Sequence, residues 1–214
     1  MRSRLLHSAV LMAAVALPVC ASAHPHVFVE ANLEIVRDEQ GNVTELRHVW
    51  RFDELFSTTV VLDFDANTND MLEPDELDEV SKTVTQSVGQ ENFFTEIRQG
   101  NQDVEFLAPE KINVDYKDGQ ILMFFATRLK ASVKPGDGDF KVSVSDPTYY
   151  VAMDIADDSA VMISGNASGC SSLVQRPDYD KLMSQAATTE DFFNNPNGAG
   201  LGDAWMTWVT LKCA

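Results

Sequence analysis

Histidine, cysteine and basic residues are all scarce in this chain. Its 214 residues include four His, three Cys, and 16 Lys and Arg against 33 Asp and Glu, for a net charge of −17. So acidic a chain argues against nucleic acid or an anionic membrane surface as partner, because both are bound by neutralising phosphates. It suits cations. No CxxC pair and no GxSxG stretch is present. The few histidines cluster near the start, so no Ser–His–Asp hydrolase arrangement can be assembled. There is no Met-rich loop, no internal repeat and no low-complexity linker. After residue 23 no apolar run approaches the ~20 residues a membrane-spanning helix needs.

The first residues read MRSRLLHSAVLMAAVALPVCASA. Arg2 and Arg4 precede an apolar run from Ala9 to Val19, and Ala21 and Ala23 form an A-x-A cleavage site. Residues 1–23 are therefore expected to be a secretory signal peptide, since the run is too short to span a bilayer. Cys20 raises a lipid-anchor alternative, but Pro18 and Val19 are poor neighbours for it. Cleavage after Ala23 leaves residues 24–214 as a single periplasmic domain with no membrane insertion, beginning HPHVFVE. Removing Arg2 and Arg4 takes Lys and Arg from 16 to 14, a charge of −19 against the 33 acids. In an oxidising compartment Cys170 and Cys213 are expected to form a disulfide. Closing a ~44-residue loop is worth about 3–4 kcal/mol in the chain-entropy account. A two-thiolate metal site is the alternative.

Hydrophobic periodicity gives an α+β fold, mainly antiparallel sheet with an inserted helix–loop–helix at about 54–89. Residues 26–36 alternate, with Val27, Val29, Ala31, Leu33 and Ile35 on one face, as in a half-buried strand. Asp38–Asn42 is a turn, and 43–52 returns with Leu46, His48, Trp50 and Phe52 on one face. If both apolar faces meet the core, residue numbers summing to about 79 pair, which sets His26 opposite Asp53 and His48 beside Trp50. Residues 54–64 read as a short helix. Leu77, Val80, Val84 and Val88 make a helical stripe after Pro74, stopped by Gly89. Residues 92–175 are strand-rich, with a hairpin about Lys117–Gly119 and strands in FKVSVS, YYVAMDI, Ala160–Ile163 and Ser172–Gln175. Residues 177–187 read as a short helix, 194–205 as a Gly/Asn-rich loop, and the chain closes with WMTWVTLKC. The strands on either side of the insertion are expected to share one sheet system.

The twelve residues from Asp65 to Glu76 resemble an EF-hand loop. Asp65, Asn67 and Asn69 take positions 1, 3 and 5, Met71 offers its carbonyl at 7, and Glu73 and Glu76 stand at 9 and 12. A hard cation such as Ca2+ wants oxygens at this spacing. Asp70 departs from the pattern, standing where a sharply turned glycine is usual. Weak calcium binding, ~10⁻⁴–10⁻³ M, is the expectation. An Asx-rich turn that binds nothing is the bland alternative.

The expected amino terminus supplies a second candidate. A free α-amine and imidazole on His24 can chelate one ion, and His26 lies two residues on, on the same side of a strand. Pro25 has no N–H, so the square-planar amino-terminal motif that needs deprotonated amides cannot form. An imidazole site suited to zinc or copper remains, completed by Asp53 or His48. A frayed terminus is the bland reading for His24 and His26, and a hydrogen-bonded core residue is the bland reading for His48.

HPHVFVEANLEIV, HVWRFDELFS, the acidic loop, SDPTYYVAMDI and NPNGAGLGDAWMTWVTLKC together resemble the periplasmic family called domain of unknown function 1007. The resemblance covers nearly the whole expected mature chain. It implies a periplasmic partner in transition-metal traffic, with zinc as cargo and a membrane permease of the nickel/cobalt exporter type as partner. It marks His24, His26, His48, Asp53 and Asp146 as candidate residues. The leading expectation is a metal-binding accessory protein. The alternatives are a copper-handling β-domain, a copper monooxygenase with an amino-terminal histidine brace and Tyr149 or Tyr150 axial, and a calcium-stabilised structural module without a transition metal.

Overall fold

In a computed structural model the described residues are 25–136, 139–146, 150–178, 181–182 and 206–213. The expected signal peptide, His24, Tyr149 and the loop at 194–205 lie outside them. So does most of the helix expected at 177–187, of which Pro177 and Asp178 are described without helical conformation and Lys181 and Leu182 in helical conformation.

Among the described residues the fold is mixed α+β, with mostly antiparallel sheet and two full helices. Alternating side chains build the hairpin of β1 (Val27–Arg37) and β2 (Val43–Phe52). Two helices follow, α1 (Glu54–Phe64) and α2 (Pro74–Gln90), the second running one residue beyond Gly89. Short strands β3 (Thr95–Gln99), β4 (Gln102–Asp103) and β5 (Phe106–Leu107) come next. A second hairpin joins β6 (Asn113–Lys117) to β7 (Gln120–Val133). Its two-residue turn, Asp118 and Gly119, has φ of 54° and 80°, the twist that fits strand to strand. The remaining strands are β8 (Phe140–Val144), β9 (Val151–Asp154), β10 (Val161–Gly165), β11 (Cys170–Gln175) and β12 (Trp208–Cys213).

Among the described residues these strands form two sheets rather than one system. The first runs β10-β1-β2-β7-β5, with β6 also on β7 and β9 also on β1; the second runs β11-β12-β8-β3-β4. Strands from before and after the helices do share the first sheet. The second sheet draws its strands from both ends of the chain after α2, and the β4 edge holds only two residues, so periodicity alone does not group them into a separate sheet. Both sheets contribute to one hydrophobic cluster, with Ile35, Leu46, Trp50 and Ile121 from the first and Ile97, Phe140, Val142 and Val209 from the second. Trp50 stacks on Phe94 with ring centroids 6.0 Å apart. Phe94 ends a turn in which Asn92, Phe93 and Phe94 all adopt left-handed φ near 50°, a conformation costly for side chains of this size.

The first hairpin pairs at residue numbers summing to 81, as in Glu30 with Arg51 and Leu33 with His48. The expected sum of 79 is corrected. Arg37 pairs Val43, so the connection is longer, and a bulge between Val36 and Arg37 adds one more residue. Inward and outward faces are unchanged because side chains alternate with period two.

Helix α1 begins where Asp53 caps it: its Oδ1 accepts the Phe56 N–H at 2.9 Å. The hydroxyl of buried Ser57 accepts the Ile121 N–H at 2.9 Å and donates to the Asp53 carbonyl at 2.7 Å. Thus α1 is pinned to β7. Pro74 in the first turn of α2 and a reciprocal Glu73–Glu76 capping box start that helix. Val80 and Ser81 face the core, and the Ser81 hydroxyl donates to the Ile112 carbonyl.

Candidate functional site

The connection between α1 and α2 closes around carboxylates. Asp65 accepts the backbone N–H of Asn69 at 3.3 Å and of Asp70 at 2.7 Å. Thr68 and Asp70 both turn through left-handed φ, 60° and 62°. Asp70 therefore takes the conformation for which the EF-hand pattern uses glycine, and the Asp65 bond offsets part of the cost. Leu72 is buried in the core and anchors the loop. Glu76 is 8 % exposed; its two oxygens accept the N–H of Ala66 at 2.8 Å and of Glu73 at 3.0 Å. Glu73 accepts the side-chain amides of Asn69 at 2.6 Å and Asn67 at 3.1 Å. These bonds, Asn69 first, hold the Glu73 carboxyl below its ordinary range. Asp65, Glu73 and Glu76, with the amide oxygens of Asn67 and Asn69 and the Met71 carbonyl, are the groups that would hold a calcium-type ion. Here the carboxylates are spent on N–H donors. Among the described residues no group of three or more His, Cys, Asp or Glu is drawn together to hold a metal.

A second convergence lies at the amino end of β1. The His26 N–H donates to the Tyr150 carbonyl at 2.9 Å, and the two rings lie 5.0 Å apart. Val27 then pairs with Val151 as β1 and β9 run parallel. Asp53 Oδ2 accepts the Phe28 N–H at 2.8 Å, and the Asp53 N–H donates to the Phe28 carbonyl at 2.9 Å. Buried Asp146 accepts the Val151 N–H at 2.9 Å. Three segments far apart in sequence thus meet here: His26–Phe28 at the start of β1, Asp53 before α1, and the strand after Asp146. Asp53 stands opposite Phe28 rather than His26, and its oxygens serve as cap and strand clamp. The His26 side chain is exposed. Tyr150, considered in sequence only as an axial ligand, is its backbone and ring partner. Its place immediately before a strand was the available signal.

His48 is on the other face of the same sheet. It is 1 % exposed, stacked on Phe125 at 4.5 Å and 9°, and edge-on to Trp50. Its Nε2 lies 3.3 Å from Thr127 Oγ1, and its Nδ1 has no partner. Burial lowers its pKa to about 3, so it is neutral at physiological pH. The sheet separates it from His26.

The disulfide expected from sequence is present. Cys170 and Cys213 face each other across β11 and β12 and are bonded at 2.03 Å.

The chain is 24% identical over 193 residues to an uncharacterized protein of Haemophilus influenzae, covering 89% of this chain and 91% of that one. Among solved structures, acetylcholine-binding protein type 1 of Biomphalaria glabrata aligns over 94% of this chain and 91% of its own, at 12% identity and a TM-score of 0.34. So loose a likeness carries no argument about this protein. Residues 9–213 match a family described as Protein of unknown function (DUF1007), and over nearly its whole length the chain belongs to that family.

Proposed function

We propose that this chain is a periplasmic metal-binding accessory protein. It captures a divalent transition metal, zinc first, with the imidazoles of His24 and His26 and delivers it to a membrane metal permease of the nickel/cobalt exporter type. The observation that carries this reading is the convergence at the amino end of β1. The Tyr150 carbonyl holds the His26 N–H, Asp53 clamps Phe28 two residues on, and Asp146 holds Val151 beside them, while the His26 side chain is exposed. An imidazole on a clamped strand end is a low-entropy ligand with room for an ion to enter and leave. His48 is outside this ligand set, because it is buried on the opposite face. The histidine-brace oxygenase reading thereby loses its one internal histidine.

The Asp65–Glu76 loop serves as a calcium-type clip that locks α1 to α2. A second reading, a calcium-stabilised module without a transition metal, draws on the paired left-handed turns at Thr68 and Asp70. One experiment separates the two. The protein is secreted through its own leader, its first residue is read by mass spectrometry, and calorimetry follows zinc, copper(II) and calcium. His24→Ala/His26→Ala and Glu76→Gln variants are run beside it. Tight zinc binding lost only in the histidine variant supports the carrier. Calcium binding lost only in Glu76→Gln, with no tight transition-metal binding, leaves the structural module.

A further inference from the structure

Arg37, the last residue of β1, is built into a socket against the disulfide. Its Nη1 lies 2.5 Å from Cys170 Sγ and 2.5 Å from the Asn166 carbonyl. Its Nε and Nη2 hold the Gly41 carbonyl at 2.9 and 2.6 Å. Two glycines allow the approach. A Cβ on Gly41 would stand 2.7 Å from Arg37 Nη2, and one on Gly165 would stand 1.9 Å from the Arg37 carbonyl; both have left-handed φ. Among the described residues no carboxylate pairs with Arg37. In a chain with 33 acids and 16 bases, a guanidinium left unneutralised and aimed at a sulfur is a chemical device. Both cysteines are half-buried rather than sealed.

We propose that Cys170–Cys213 is an exchangeable disulfide, with Cys213 the sulfur attacked and Cys170 the leaving thiolate. A small thiol such as glutathione attacks as its thiolate on Cys213 Sγ. The Cys170–Cys213 bond breaks, a mixed disulfide forms on Cys213, and the bonding pair passes to Cys170 Sγ beside Arg37. A second thiolate then attacks the glutathione sulfur, releasing the oxidised small disulfide and the Cys213 thiolate. The net change is two electrons into the protein. A cation at the leaving sulfur lowers its thiol pKa and speeds departure.

The test treats the full secreted chain with reduced glutathione, quenches in acid and maps the adduct by peptide mass spectrometry. The adduct is expected on Cys213; an adduct on Cys170 overturns the assignment. Arg37→Gln is expected to slow reduction by dithiothreitol at least three-fold. In its reduced form, the variant should raise the pH at which Cys170 reacts with iodoacetamide. A purely structural Arg37 gives the opposite sign, because loosening the socket exposes the disulfide and speeds reduction. If Arg37→Gln does not fold, the adduct position in the native chain still decides.

Discussion

The imidazole of His48 has to be neutral to stay where it is, and this makes the fold acid-sensitive in a calculable way. Its pKa is about 3 in the folded protein and ~6.5 in an unfolded chain. Between these values the unfolded state binds one more proton than the folded state, so stability rises with pH across the window and is lost as pH falls through it. The contribution is complete above ~6.5 and exhausted below about 3. Each pH unit inside the window costs about 1.4 kcal/mol, so moving from pH 7 to pH 5 costs about 2 kcal/mol. That is a large share of a typical domain stability of ~5–15 kcal/mol. The groups facing the ring are Phe125, Trp50 and Thr127, none of which carries charge. The comparison is His48→Gln, which keeps a polar group near the Thr127 hydroxyl and removes the titration. Urea unfolding of both proteins at pH 7.5, 6 and 5 gives two pH profiles. Carboxylate effects cancel in their difference, which should change by about 2 kcal/mol between pH 7.5 and pH 5. Parallel profiles would sink the reasoning, because they would show that His48 gains its proton equally in both states.

Asp53→Ala removes both the α1 cap and the clamp on Phe28; a loss of about 1–2 kcal/mol is expected from the cap alone, read in urea melts at neutral pH. Gly165→Ala forces a side chain onto the Arg37 carbonyl at left-handed φ. The backbone term costs about 1–3 kcal/mol and the clash adds to it, so a melting temperature within a degree of the parent would contradict the pairing of β1 with β10. Glu76→Ala strands the N–H groups of Ala66 and Glu73 at about 1–3 kcal/mol; amide exchange should quicken in the loop first. Cys170→Ser/Cys213→Ser is expected to cost about 2–5 kcal/mol, measured beside the oxidised parent.

Local patterns carried much of the fold. Strict alternation in 27–36 and 43–52 and the capping signals around Asp53 and Pro74 located the first hairpin and both helices. His48 on the buried face followed from parity alone, which a two-residue register change does not disturb. What parity could not supply was the partner across the ladder: the longer connection and the bulge between Val36 and Arg37 together moved Asp53 from His26 to Phe28. Strands of two residues, such as β4 and β5, hold too few side chains for a period to show. The roles of Tyr150, Asp146 and Arg37 depend on contacts made over more than a hundred residues of sequence or on backbone bonds that leave no mark on composition.

Strand β1 lies inside its sheet, with β2 on one side and both β9 and β10 on the other. Its parallel partners come late: Leu33 meets Val161 and Val27 meets Val151. Its ladder cannot close until the chain is available to about residue 165, and parallel pairings across such a separation form slowly because loop closure precedes any reward. The hairpin therefore waits with one edge open until the last third of the chain is available. When β9 and β10 arrive they cover that edge, and Tyr150 just before β9 takes the His26 N–H in the same event, so completion of the sheet and placement of His26 in the proposed capture site share one folding step.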